Sequence, residues 1–353
     1  MTAQETTRRP VEQVSGPAPA QGPAPPNPAR ESRRSLRADV MQVYASLGAL
    51  AVLIITFAAL SPQFRTLANL RSIADAAALL AVVTIGVTFV LVLGAIDLSI
   101  EGVIGACSMT VALLVLNSRT EADLGVFGIV LTILIGVAFG LLSGVLATRL
   151  KIPSFMTTLG MNAVGLGVAT LLFAGVQPVV QDASLRSWAS GRLFGFTYVT
   201  YIAIGAVLIG WLIERHTKVG RYAFAIGGAE DITDLSGVPV KRYKTAAFAV
   251  AGGFYGLAAV MATSQLGAGV VAAGAGLNFA AIAAAVIGGT LLAGGRGGVL
   301  QSMIGVLVIT VLQNGLILTG VSPYAQRAVE GVIVVVAVAA ATWPVRHRLG
   351  VVK

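Results

Sequence analysis

Ile129-Val130-Leu131-Thr132-Ile133-Leu134-Ile135-Gly136-Val137 is interrupted only by Thr132 and Gly136. A half-buried strand, or a strand of a membrane barrel, alternates apolar and polar residues. This stretch does not, and neither does Val332–Ala341, which is apolar throughout. The first stretch lies inside a longer apolar run, Leu124–Leu146. That length is close to the ~20 residues a helix needs to cross a ~30 Å hydrocarbon core. Similar runs recur on both sides: Met41–Leu60, Ser72–Leu93, Ile100–Leu116, Pro153–Gly175, Phe196–Ile213, Thr245–Leu266, Asn278–Ala293, Gly298–Thr319 and Ala325–Trp343. Backbone groups in lipid must be satisfied within the structure, which leaves helices once a barrel is excluded. The pattern predicts an all-α polytopic membrane protein with about ten transmembrane helices over residues 41–344. The weakest spans are Asn278–Ala293, which is short, and Ile100–Leu116.

Composition agrees. The chain has 353 residues, 56% hydrophobic and only 11% charged, where a soluble domain carries about 25% charged. Half of the charges fall in residues 1–40 and 214–244. A soluble enzyme, a wholly disordered chain and a disulfide scaffold are excluded; Cys107 is the single cysteine. A net charge of +9 points to nucleic acid in a soluble protein. Here it sets orientation. With the N-terminus inside and ten spans, 18 Lys and Arg fall on cytoplasmic segments and 6 on the outer side, the sense of the positive-inside rule. Both termini are then cytoplasmic. Residues 1–40, rich in Pro and Arg without apolar periodicity, read as a disordered tail, and 345–353 as a short C-terminal tail.

No catalytic constellation and no metal-ligand spacing is present. Gly294-Gly295-Arg296-Gly297-Gly298 lacks the Gly-Lys-Ser/Thr of a phosphate-binding loop, so ATP is not expected on this chain. Asp97, in Asp97-Leu98-Ser99-Ile100-Glu101, reads either as a cap of the next helix or as a gating acid. Both Asp97 and Glu101 are expected at a water-accessible cytoplasmic turn. The amides Asn162, Asn278, Gln313 and Asn314 suit either hydroxyl recognition in a neutral solute or bonds between helices. Gly136, Gly140 and Gly144, like Gly252 and Gly256, repeat at the spacing that lets helices approach closely. The Gly94–Gly102 and Gly289–Gly297 brackets form a weak internal echo.

The largest cytoplasmic loop, 214–244, holds a candidate short amphipathic helix. Ala229, Ile232 and Leu235 or Ser236 share one face, with Glu230 and Asp231 beside them. Gly237 ends it and Pro239 blocks continuation. Two readings stand: a docking element for a soluble partner, or an interfacial loop helix.

Gly94-Ala95-Ile96-Asp97-Leu98-Ser99-Ile100-Glu101-Gly102 and Pro153-Ser154-Phe155-Met156-Thr157-Thr158-Leu159-Gly160-Met161 resemble motifs of ribose/xylose-type sugar ABC transporter permeases. So do Thr217-Lys218-Val219-Gly220-Arg221, Ala225-Ile226-Gly227-Gly228, Leu235-Ser236-Gly237-Val238, Ala281–Thr290, Gly294-Gly295 and Gln313-Asn314-Gly315-Leu316. The resemblance covers about residues 41–344. It implies a plasma-membrane (bacterial inner-membrane) importer subunit for a monosaccharide or related polyol. The wider superfamily also carries branched-chain amino acids and nucleosides. An ion-coupled secondary transporter is the reading from another class; it predicts paired buried acids at mid-membrane. The implied partners are a second permease chain, cytoplasmic ATPase subunits that hold ATP and Mg, and an extracytoplasmic solute-binding protein. Residues 229–238 become the coupling helix, with Gly220, Arg221, Ala229, Glu230, Asp231, Leu235, Ser236 and Gly237 expected at the ATPase contact. Asp97, Ser99, Phe155, Thr158, Asn162, Asn278, Gln313 and Asn314 are the expected pathway or gate. Asn278 and Ala280 stand where family members often have an acidic pair, and Asp234 where a basic residue is common.

Overall fold

The computed structural model describes residues 28–322, 325, 326, 328, 329, 331 and 332, with side chains from residue 42 onward. Two units divide after Ala38, and the packed apolar helices belong to the one that begins at Asp39. Among the described residues, seven helices are long and apolar enough to cross a membrane. They are α1 (Pro28–Leu60, its apolar part Gln42–Leu60), α2 (Leu67–Val92), α4 (Gly125–Arg149), α5 (Ser154–Phe173), α7 (Tyr198–His216), α10 (Val240–Leu266) and α12 (Val299–Leu318). Two shorter apolar helices are α3 (Ile100–Leu114) and α11 (Leu277–Gly288). These are the two spans that the sequence marks as weakest. Three polar-edged helices, α6 (Ala183–Ser190), α8 (Lys218–Gly228) and α9 (Glu230–Leu235), complete the set, with a minimal hairpin of β1 (Arg192–Leu193) and β2 (Phe196–Thr197).

Helix α1 begins at Pro28, inside the segment expected to be a disordered tail. Pro is pre-organised for the first helical turn, and Ala29-Arg30-Glu31-Ser32-Arg33-Arg34-Ser35-Leu36-Arg37 is dominated by residues that tolerate a helix. Residues 1–27, most of the span expected over Ala325–Trp343, and the tail 345–353 lie outside the described residues.

Helix α2 is apolar on every face, which marks a helix surrounded by protein. Val82, Ile85 and Phe89 are buried against Phe254, Tyr255 and Ala258 of α10 and Ala283, Ala284 and Ala285 of α11. Helices α4 and α10 approach closely along their length. A Cβ on Gly136 would meet the backbone of Gly252 and Gly256, and one on Gly140 would strike the carbonyl of Phe248. The two glycine repeats seen in the sequence therefore face each other, and the backbones touch where side chains would stand.

The helix ends gather on two faces. One carries the C-terminal end of α2, helices α8 and α9, and the Gly-rich loop 294–298: Gly295 N–H donates to Val92 O (2.8 Å) and Val299 N–H to Glu214 Oε2 (2.6 Å). Arg149, Lys151, Lys218, Arg221, Lys241, Arg242 and Lys244 belong to it. The other face carries α6 and the hairpin. There Asp75 Oδ1 of α2 accepts from Thr197 Oγ1 (2.8 Å) and Thr200 Oγ1 (2.5 Å). Val180 N–H donates to Gly267 O, and Gln181 N–H to Leu116 O.

Candidate functional site

Helices α3 and α11 are short because each is completed by non-helical chain. Residues 93–99 precede α3, and 267–276, with Gly267, Gly269, Gly274 and Gly276, precede α11. Irregular backbone among membrane helices persists only where other groups satisfy it. Helix α5 supplies those groups for the first segment. Ser154, Thr158 and Asn162 recur every four residues and line up on one face. Ile96 N–H donates to Ser154 Oγ (3.2 Å), Leu98 N–H to Thr158 Oγ1 (2.9 Å), and Gly102 N–H to Asn162 Oδ1 (2.6 Å). The alternate residues 96 and 98 present their N–H groups to the same side, as an extended chain must. Asn162 then takes an N–H of the first turn of α3, which no residue within the helix can accept.

The second segment is held by α3 itself. Val270 N–H donates to Ser108 Oγ (3.2 Å), and Gly276 N–H to Glu101 Oε1 (3.0 Å). The first turns of α3 and α11 thus meet, with Glu101 reaching from one to the other. A carboxylate is favourable at a helix N-terminus.

Asp97 is 3% exposed, so the expected water-accessible turn is corrected: α2 ends at Val92 and the chain turns back among the helices rather than out. Asp97 does not cap α3 directly either; the residue at the cap is Ser99. Asp97 Oδ1 accepts from both Ser99 N–H (2.8 Å) and Ser99 Oγ–H (2.6 Å), a local turn two residues long. Its second oxygen accepts from the Tyr255 hydroxyl of α10 (3.2 Å). Tyr255, Ser154 and Glu101 are partners that the candidate set does not contain. The four-residue spacing of Ser154, Thr158 and Asn162 is a readable signal for one of them; Tyr255 looks like any core aromatic.

The expected pathway residues divide. Asp97, Ser99, Thr158 and Asn162 are brought together, each with a side-chain oxygen bonded to neighbouring chain. Asn278 lies two residues past Gly276, is 6% exposed, and its Oδ1 is buried without a hydrogen bond. Phe155 is exposed on α5. Asn314 is elsewhere, near the hairpin-bearing face: its Nδ2 donates to Asn69 Oδ1 of α2 (2.9 Å), whose own amide donates to Phe64 O (3.2 Å). Gln313 adjoins it in sequence.

At the opposite face α9 is a six-residue helix with its apolar side chains turned outward. Leu235 is 89% exposed and Ile232 67%. Glu230, Asp231, Ser236, Ala229 and Arg221 are exposed around them. Gly237 follows at φ +79°, where a residue without Cβ is favoured. The helix is tied down on its inner side: Thr233 Oγ1 donates to Ala225 O (3.0 Å) and Ala229 O (2.8 Å), and Lys244 pairs with Glu230 (2.6 Å). Helix α8 beneath it is seated through Ala223 and Ile226 on Val92, Leu93, Val240 and Ala247. At Gly220 a Cβ would collide with the Glu214 backbone, and at Gly227 with the Val92 carbonyl. α9 is therefore linked through α8 to the turn that opens the first irregular segment.

Residues 69–338 match the family model described as a branched-chain amino acid transport system permease component. The chain is 35% identical over 298 residues to the ribose import permease protein of Escherichia coli (strain K12), covering 83% of this chain and 91% of that protein. It is 32% identical to the ribose import permease protein of Bacillus subtilis (strain 168), with 85% and 92% covered. It is 30% identical to the galactose/methyl galactoside import permease protein of Escherichia coli (strain K12), with 79% and 87% covered. No solved structure matches the chain.

Proposed function

From the premise that this chain belongs to the family of branched-chain amino acid transport system permease components, we propose that it passes a monosaccharide or related polyol inward across the bacterial plasma membrane. It is the multi-pass permease subunit of an ATP-binding-cassette importer. The solute class rests on the similarity to ribose and galactose permeases. The observation that carries the mechanism is α9: two apolar side chains stand exposed on a helix fixed from behind. Exposed apolar surface of this kind marks a contact with another protein. ATP and Mg belong to the cytoplasmic ATPase subunits, which grip Ile232 and Leu235, while Glu230, Asp231, Ser236 and Arg221 form the rim. Gly220 and Gly237 shape the backbone on either side.

In this reading the ATPase moves α9 and α8, and α8 moves the turn after α2. The irregular segments 93–99 and 267–276 respond, because their bonds run to side chains on other helices. Asp97, Ser99, Thr158 and Asn162 position the moving segment rather than touch solute. In the same reading Asn278, whose Oδ1 is buried without a hydrogen bond, and Phe155 serve as the solute wall, and Gln313 and Asn314 as the outer end of the path. A second permease chain completes that path, and an extracytoplasmic binding protein delivers to it. Ten spans with both termini in the cytoplasm fit the basic residues gathered on the α9 face.

Reconstitution of the chain with its ATPase and binding protein in proteoliposomes tests the whole. ATP-dependent uptake of a monosaccharide is expected. Uptake driven by an ion gradient without ATPase overturns the importer reading, and uptake of a branched-chain amino acid or nucleoside alone overturns the solute. Leu235→Asp is expected to lower ATPase co-purification about tenfold with membrane insertion unchanged; unchanged co-purification removes α9 from the contact.

A further inference from the structure

A groove of about 690 Å³ runs between α4 and α10 from the face that bears α9. Its mouth is lined by Arg149 at the end of α4 and by Lys241 and Arg242 at the start of α10. None of the three has an ion pair or side-chain hydrogen bond to a described residue. Asp234 also lines the mouth, leaving two positive charges in excess. Deeper in, the walls are Leu141, Val145 and Ala246. Thr148 and Thr245 satisfy each other across the floor at 3.2 Å, so the floor offers no free hydroxyl pair to water. Leu141 lies eight residues before Arg149 on a continuous helix, about 12 Å from it along the axis.

A basic end continuing into an open apolar groove of that length matches an amphiphile. We infer that this groove binds an anionic phospholipid, its phosphate between Arg149, Lys241 and Arg242 and one acyl chain along Leu141 and Val145. Unpaired basic groups between membrane helices attract acidic headgroups. A soluble partner's acidic surface would reach the three cations but leave the apolar depth unfilled.

The test is native mass spectrometry of the full-length chain in neutral detergent, incubated with equal amounts of phosphatidylglycerol and phosphatidylcholine of matched chains. A retained phosphatidylglycerol adduct is expected. The R149Q/K241Q/R242Q variant should lose the preference roughly tenfold or more. Leu141→Trp should weaken retention with all charges in place, because the indole fills the channel. Arg186→Gln, an exposed cation on the other face, should change nothing. The four groove positions are exposed, so thermal melting should match the native chain; if the triple variant does not fold, Arg149→Gln alone must show a graded loss. Equal retention of the two lipids, or native retention by the triple variant, overturns the inference. So does displacement by soluble glycerophosphoglycerol at equal concentration, which would mean that no acyl chain is held. If the triple variant loses the ATPase while lipid retention and Leu141→Trp stay native, the mouth is a protein contact instead.

Discussion

Thr158 carries one hydroxyl into a site with no exposure, and that oxygen accepts the Leu98 N–H. Thr158→Val keeps the shape and removes the acceptor. A buried N–H left without a partner costs about 1–3 kcal/mol, so the variant should unfold at correspondingly lower denaturant in detergent, while Thr158→Ser should behave as the native chain. Equal stability of the two variants would mean that the segment finds another acceptor. Tyr255→Phe makes the matching test of Asp97. The ring stays buried, the bond to Asp97 Oδ2 is lost, and a loss of about 1–3 kcal/mol is expected for a buried acceptor left without its partner. Urea titration of the purified variant measures it. At this scale the sequence exposes one half of each pair. Asp97, Ser99, Thr158 and Asn162 stand out because polar residues in apolar runs need a reason. Their partners are backbone N–H groups or a tyrosine, which carry no mark of their own. The same blindness puts Asp97 at a wet turn, since nothing in Gly94-Ala95-Ile96 says whether the chain leaves the membrane or doubles back.

Helix lengths sort the elements into two kinds. At about 1.5 Å per residue, α3 and α11 reach only about 22 and 18 Å, short of a ~30 Å core. Non-helical chain, turned at 93–94 and 271–276, precedes each, and each piece is bonded to side chains of α5 or α3. Such a piece can shift by exchanging a few bonds, whereas α4 and α10 cannot separate without losing backbone contact along their length. Gly140→Leu should therefore be among the most damaging substitutions, driving a side chain into the Phe248 carbonyl. Loss of folded protein in size-exclusion chromatography is expected. Gly167→Ala on α5 has open space at its Cβ and should be neutral or stabilising by up to about 1 kcal/mol. Much of this is readable in the chain. The apolar runs locate the long helices to within a few residues, the glycine repeats name the tight pair, and the shortness of Asn278–Ala293 flags a broken span. Helix α6 and the 192–197 hairpin escape detection, because a short polar segment bonded to α2 through Asp75 has no periodicity to read.

Orientation is a property of the whole molecule, fixed by charge rather than by any one contact. The described chain alternates between its two faces, with the α9 face carrying Arg149, Lys151, Lys218, Arg221, Lys241, Arg242 and Lys244. Insertion favours such a face toward the cytoplasm. The chain offers its own means of checking this. Its single cysteine, Cys107, is fully buried, so a membrane-impermeant maleimide should leave the native protein unlabelled. Ser236→Cys, beside α9, should react only in inverted vesicles, and Arg186→Cys, on α6, only in intact cells with a permeable outer layer. The reverse pattern would invert the protein and remove the cytoplasmic ATPase from α9. Lys353→Cys then decides the span count. With ten spans it labels together with Ser236→Cys, because an even number of crossings returns the terminus to the side where the chain began. Labelling with Arg186→Cys would mean that Ala325–Trp343 does not cross, and the basic cluster at Arg346, Arg348 and Lys353 would sit outside, against the charge rule that orients the rest.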